Sequence, residues 1–185
     1  MSRGGRSSGL VTVPARVSVS DFAEAIGRPI SEVQAVLESR EEPSAPGDLI
    51  GPGQSGAVGK MLGVGITVEP RDLALETLYE MEIRDETEMP RLPGRADALV
   101  KGVVARRESL DHAIEAASEH WSVARMPVID RAILRLGLYE LKHEPDTPTA
   151  VVVSEAVRLA KTYSTERSGS FVNGVLASLA RSERG

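Results

Sequence analysis

The sequence predicts a mainly α-helical protein, and three observations carry that expectation. Aromatic residues make up only 3% of the 185 residues, against an apolar fraction of 41%. The core must therefore be built from Leu, Val, Ile and Ala, which favours helix-on-helix packing. From residue 70 onward the apolar residues recur at helical spacing and no strand pattern intrudes. Prolines punctuate that half where helices open or break, at Pro70, Pro127, Pro145 and Pro148.

The chain reads as three parts. Residues 1–14, rich in Ser, Gly and Arg, read as a disordered tail. Residues 15–69 read as a small separate module. Ser18 with Asp21 forms a capping-box-like start for a helix through Phe22, Ala23 and Ile26, which Gly27 ends. Ser31 with Gln34 marks a second start, and Val33, Val36 and Leu37 supply its apolar stripe. Pro43 to Gly56 is a loop on composition, and the period-two pattern of Leu62, Val64, Ile66 and Val68 fits one short strand.

Residues 70–185 read as helices. Pro70 suits a first helical turn, followed by the stripe Leu73, Ala74, Leu78 and Met81. After a loop containing Pro90, Pro93 and Gly94, apolar residues from Leu99 to Trp121 fit one long helix or two stacked ones. Pro127 opens a helix with Ile129, Ile133 and Leu136 on its core face and Asp130 and Arg131 off it. Asp146 and Pro148 make a turn before a helix from about Ala150 to Tyr163. The last helix runs from about Ser168 past Leu179. Gly174 is expected at a close helix approach, and Phe171 suits a core position as well as a surface stacking role.

Composition excludes several functions. With no cysteine there are no disulfides, thiolate metal sites or cysteine nucleophiles. Neither a signal peptide nor a run of roughly 18 apolar residues is present, so the expected location is cytoplasmic, with no membrane partner. The net charge of −5 means that any nucleic-acid binding needs a local basic patch. Gly51-Pro52-Gly53-Gln54-Ser55-Gly56 fits G-x-G-x-x-G, but no βαβ unit surrounds it and it reads as a flexible linker. His112, His120 and His143 show no metal-ligand spacing and read as helix surface. No serine sits in a nucleophile elbow. No catalytic residue, metal site or cofactor is therefore expected.

The C-terminal half carries a specific set of segments. Arg125-Met126-Pro127-Val128-Ile129-Asp130-Arg131-Ala132-Ile133-Leu134-Arg135-Leu136-Gly137-Leu138-Tyr139-Glu140-Leu141 is followed by Asp146-Thr147-Pro148 and by Val153-Ser154-Glu155-Ala156-Val157-Arg158-Leu159-Ala160-Lys161. Tyr163-Ser164-Thr165-Glu166 and Ser168-Gly169-Ser170-Phe171-Val172-Asn173-Gly174 close the set, and Arg71-Asp72-Leu73-Ala74-Leu75-Glu76 opens it. In this order and spacing, residues 70–181 resemble the NusB family of transcription antitermination factors.

The resemblance implies a pair of small helical bundles that bind boxA-type RNA of nascent ribosomal transcripts. The ribosomal protein NusE and the transcription elongation complex would be partners, a homodimer is allowed, and no enzyme activity is implied. Carried over by position, Arg71, Lys161, Arg167, Ser168 and Phe171 would face RNA, and Tyr79 and Asp130 would face NusE. The fold also fronts certain rRNA cytosine methyltransferases, but no such domain is expected here.

One departure stands out. The family opens its first helix with several arginines, whereas Gly65-Ile66-Thr67-Val68-Glu69-Pro70 stands there and only Arg71 remains. A divergent protein–protein adaptor that kept the fold but lost strong RNA binding is the second reading. Separately, Val17 to Gly27, Ser31-Glu32-Val33 and Leu62-Gly63-Val64 resemble the small N-terminal module of bacterial translation initiation factor two. Where that module has a helix before its last strand, this chain has Gly51, Gly53, Gly56 and Gly59, which puts the helix in question.

Overall fold

The computed structural model describes residues 10–118 and 121–184. The chain divides into two compact units, Met1–Leu73 and Ala74–Gly185.

In the first unit, strands β1 (Val11–Val13) and β2 (Val17–Ser18) precede helices α1 (Val19–Ala25) and α2 (Ile30–Ser39). Strand β3 (Leu49–Ile50), helix α3 (Pro52–Leu62) and strand β4 (Ile66–Val68) follow. β1 pairs in parallel with β4, Val11 opposite Ile66, and β2 pairs antiparallel with β3, Val17 opposite Ile50. Val13, Val19, Phe22, Val33, Leu37, Ile50 and Val58 form the core. Ser18 caps α1 as its spacing implies, its Oγ accepting from the Asp21 N–H at 3.1 Å. Gly27, at φ +64°, follows the last residue of that helix turn.

Three expectations are corrected here. The tail ends earlier than residue 14, because residues 11–13 are strand β1 and Val13 is buried. The rest of the proposed tail, with Arg3 and Arg6, lies outside the described residues. The second helix starts after Pro29, without a side-chain cap from Ser31. The glycine-rich segment is neither loop nor linker from Pro52 onward, because it forms the first turns of α3. Pro52 suits the first helical position, and the Gly51 N–H donates to Gln54 Oε1 at 3.2 Å. Gly59 explains why so poor a helix former is retained there. A Cβ at that position would run into the Ile66 side chain and lie 2.8 Å from the Val64 carbonyl oxygen, so β4 can pass only over a bare backbone.

The second unit is helical throughout its described residues. α4 (Pro70–Arg84) leads in from the first unit. It is followed by α5 (Gly94–Ala105), α6 (Arg107–Ala117), a 3₁₀ turn at Val123–Arg125, α7 (Val128–His143), α8 (Thr149–Tyr163) and α9 (Glu166–Arg184). The long apolar segment is thus two helices, broken at Arg106. Trp121, expected on the apolar stripe, is instead 61% exposed, because α6 has ended at Ala117 and helical spacing no longer applies.

α7 is the hub. It packs on α5, α6, α8 and α9, and Ala132, Ile133, Leu134, Leu136, Leu138 and Leu141 are all buried. One continuous core results, joined by Leu75 and Leu78 of α4, Leu99 of α5, Ile114 of α6, Leu159 of α8 and Leu176 of α9. Gly174 is not the point of close helix approach. It is exposed, with nothing within 4 Å of where a Cβ would sit, whereas at Gly137 the Leu176 Cδ1 would be 2.8 Å away.

Charged residues also hold the helices together. Arg135 is buried and bridges α4 and α6. Its Nη1 donates to Glu82 Oε2 at 2.7 Å, and its Nε and Nη2 donate to the two Asp111 oxygens at 2.6 and 2.9 Å. Burial alone lowers the pKa of the guanidinium. The hydrogen bonds and charge of Asp111, with the charge of Glu82, outweigh it and raise the pKa above the usual value. Arg107 and Arg131 also reach Glu82 Oε1, at 3.2 and 2.6 Å.

At the other end of α7, Arg184 of α9 caps the helix C-terminus. It donates to the carbonyl oxygens of Glu140, Leu141, Glu144 and Thr147 at 2.6–3.0 Å. A cation is favoured there by the partial negative charge of the helix end.

Candidate nucleic-acid interface

Four of the five residues singled out for RNA, Lys161, Arg167, Ser168 and Phe171, lie on α8 and α9 near the turn that joins them, and Arg71 does not. Lys161, in the last turn of α8, is exposed, and its aliphatic stem lies over Gly169: a Cβ on that glycine would be 3.2 Å from Lys161 Cγ. The small residue therefore seats the lysine stem and leaves the ammonium at the surface. Arg167 is exposed in the first turn of α9.

Ser168 does not face outward. It is 4% exposed, and its hydroxyl donates to Asp130 Oδ2 of α7 at 2.9 Å. Because its single proton is committed there, the Ser164 and Thr165 hydroxyls, each 2.9 Å away, donate to Ser168 Oγ. Ser168 orders the turn from within instead of touching a ligand.

Phe171 lies at the edge of the core. It is half-buried and packs against the core, and its ring centroid lies 6.1 Å from that of Trp121 at an interplanar angle of 46°. Beside this pair runs a groove of ≈ 590 Å³, lined by Ala117, Trp121, Ser170, Gly174, Ser178 and Arg181 among others.

Two further expected site residues are interior. Arg71 is 8% exposed, and its Nη1 lies 3.9 Å from Glu69 Oε1, so burial removes it from the surface where a phosphate would sit. Asp130, expected off the core face, is 3% exposed beneath the α8–α9 turn. Tyr79 does reach solvent, at 38% exposure, with the exposed Ile83 one turn further along α4. Arg167 and Phe171, four residues apart, lie on one face of α9, whereas Lys161 lies over Gly169, two residues from each and so on the opposite side of the helix. Tyr79 lies apart on α4, and Arg71, Ser168 and Asp130 are inside.

Sequence reading missed Trp121 as a surface residue, and it missed the Glu82–Arg135–Asp111 bridge. The signal for the bridge was Arg131 and Arg135, four apart on one face of α7.

Among the described residues no group of three or more His, Asp or Glu could hold a metal ion. His112 is exposed. His143 stacks on Tyr139 at 4.9 Å, and burial, then Arg106 and Lys142, hold its pKa below the usual value. His120 lies outside the described residues.

A family model described as the NusB family matches residues 68–181. The chain belongs to the NusB family. Among its relatives, the transcription antitermination protein NusB of Saccharopolyspora erythraea is 42% identical over 130 residues, covering 63% of this chain and 88% of the relative. The protein of the same name from Geobacter sulfurreducens is 40% identical over 124 residues, covering 60% and 90%.

Solved structures agree. T. maritima NusB matches at 31% identity and a TM-score of 0.58, over 63% of this chain and 91% of that one. A crystal structure of the antitermination factors NusB and NusE in complex with dsRNA matches at 29% identity and a TM-score of 0.52, over 61% and 94%. The α4–α9 helices are thus the NusB fold, and residues 10–67 fall outside the family match.

Proposed function

We propose that this chain is a transcription antitermination factor that binds boxA-type RNA of nascent ribosomal transcripts together with the ribosomal protein NusE. On this reading it works in the cytoplasm, without a membrane partner or a catalysed reaction. Among the described residues no helix is long and apolar enough to cross a membrane.

The observation that carries the reading is the family match, which spans residues 68–181 and so includes the α8–α9 turn. At that turn Lys161 and Arg167 offer charge to phosphates, and Phe171 offers a ring edge to a base. Ser168 and Asp130 act beneath them as positioning residues. Tyr79, with Ile83 beside it, is the surface we assign to NusE.

A second reading, a protein–protein adaptor with weak RNA binding, draws on two facts. Arg71 is buried, and residues 15–69 carry four cations (Arg16, Arg28, Arg40 and Lys60) against eight carboxylates. That module repels phosphate instead of replacing the arginines missing from the first helix.

The discriminating experiment is a binding titration of the full chain against a boxA-type RNA, with and without NusE, across a salt series. Binding that tightens with NusE and weakens with salt supports antitermination. NusE binding without any RNA binding at low salt establishes the adaptor instead.

A further inference from the structure

The geometry points to a binding site for one free apolar α-amino acid, in the cavity between α4, α5 and α7. The site is independent of the RNA-binding reading above, so either can fail without the other.

The cavity has a volume of ≈ 210 Å³. That exceeds the roughly 150 Å³ of an apolar cavity that takes a benzene molecule, and falls short of the roughly 300 Å³ of a drug-sized pocket. A single amino acid lies between these sizes. The floor is apolar, built from Leu78 and Met81 of α4, Val103 and Val104 of α5, and Ala132 of α7. The mouth is polar and carries both signs of charge, with Asp85, Glu86 and Thr87 set against Arg107.

The groups at the mouth are not used up by the fold. Glu82 and Arg135 also line the cavity, but Arg135 is bonded through all three of its nitrogens. Glu82 is held by Arg107, Arg131 and Arg135 at once. Arg107, by contrast, spends one bond, from Nη2 to Glu82 Oε1 at 3.2 Å, and is 54% exposed with donors to spare. Glu86 meets only Arg84, at 3.9 Å. The Asp85 carboxylate and the Thr87 hydroxyl have no partner among the described residues.

The backbone sets Asp85 in this place. α4 ends at Arg84, and Asp85 takes φ +53°, a left-handed conformation that glycine usually supplies at a helix end. The Glu86 N–H then donates to the Met81 carbonyl at 2.9 Å and closes the turn. Glycine would close it at less cost, so what this residue adds is a carboxylate at the cavity mouth.

The order of the groups selects the ligand. Its apolar part lies on the floor while its charges stay at the mouth. A lysine or arginine side chain of a partner would lead with its charge into the apolar floor, at a high desolvation cost. A fatty acid would bring its carboxylate against Asp85 and Glu86. An apolar α-amino acid matches all three features. Its side chain covers the floor, its ammonium meets Asp85 and Glu86, and its carboxylate accepts a charge-assisted bond from Arg107.

The full chain is titrated with L-leucine by calorimetry, and its melting temperature is followed in parallel. L-leucine should bind saturably and raise the melting temperature, because it engages only the folded form. Glycine, without the side chain, and leucinamide, without the carboxylate, should each bind about tenfold more weakly. Arg107→Gln should erase the preference for leucine over leucinamide, and Asp85→Asn should weaken both. These two side chains are exposed, so the variants keep the fold. Val104→Trp, at a half-buried position, should fill the cavity and abolish binding while the helical signal persists.

If leucine, isoleucine, valine and methionine all leave heat and melting temperature unchanged at millimolar concentration, the site is wrong. Leucinamide binding as tightly as leucine, or Val104→Trp binding like the parent, would overturn it equally.

Discussion

The Ser168 hydroxyl and the Asp130 carboxylate meet at 2.9 Å with both side chains buried, tying the first turn of α9 to the first turn of α7. This bond makes Asp130 a support beneath the α8–α9 turn. Asp130→Ala is therefore expected to cost about 1–3 kcal/mol, the price of leaving a buried polar partner unmatched. Urea unfolding checks it. A loss of NusE affinity without any loss of stability would instead return Asp130 to the surface role that its sequence position suggested.

Arg135 holds two carboxylates from two other helices, and its removal breaks the link between them. Arg135→Ala should destabilise the helical unit by about 3–5 kcal/mol, because Asp111 loses both of its bonds to the buried guanidinium while Glu82 keeps only Arg107 and Arg131. Added salt should recover little of this, since Glu82 is only 11% exposed. Chemical denaturation at low and high salt measures both terms. Full recovery in high salt would mean that the bridge behaves as a surface pair.

Arg184 reaches four carbonyl oxygens at the end of α7 and beyond it. Arg184→Ala should lower stability by about 1.5–3 kcal/mol, the range for hydrogen bonds to a charged group. The loss should be local first, so amide exchange in the last turn of α7 should quicken before the helix centre responds. Unchanged exchange there would show that water caps the helix equally well.

The salt dependence of RNA binding separates exposed cations from buried ones. Lys161→Gln and Arg167→Gln should each lower the slope of log affinity against log salt by about 0.7 for a single strand. Arg71→Gln should leave the slope unchanged, because that side chain is 8% exposed. The same titration series, run on three variants, gives the answer. A lowered slope for Arg71→Gln would place that arginine on phosphate after all.

Short-range rules made part of this molecule legible. Ser18 three residues before Asp21, Gly27 after a helix, and prolines at the starts of α4, α7 and α8 each act through the backbone within one turn. The apolar stripe of α7 was equally plain, because Ile133 and Leu136 repeat with the helix itself. The order of motifs from Arg71 to Gly174 was enough to reach the NusB family.

What lay beyond reach depended on which surfaces come together. Composition argued against α3, and only the passage of Ile66 over Gly59 shows why that glycine is kept in a helix. Trp121 continued the spacing of α6 but stands beyond its end, so the same periodicity that buried Ile114 misplaced the tryptophan.

By itself, then, the sequence determined the helices of the second unit and their family. Those follow from local backbone preference and from the period of apolar residues. Only the tertiary structure decided that Lys161, Arg167 and Phe171 face out while Arg71, Ser168 and Asp130 face in. A polar side chain lies inside or outside according to whether another helix supplies its hydrogen-bond partner, and that partner lies 38 residues away for Ser168 and Asp130.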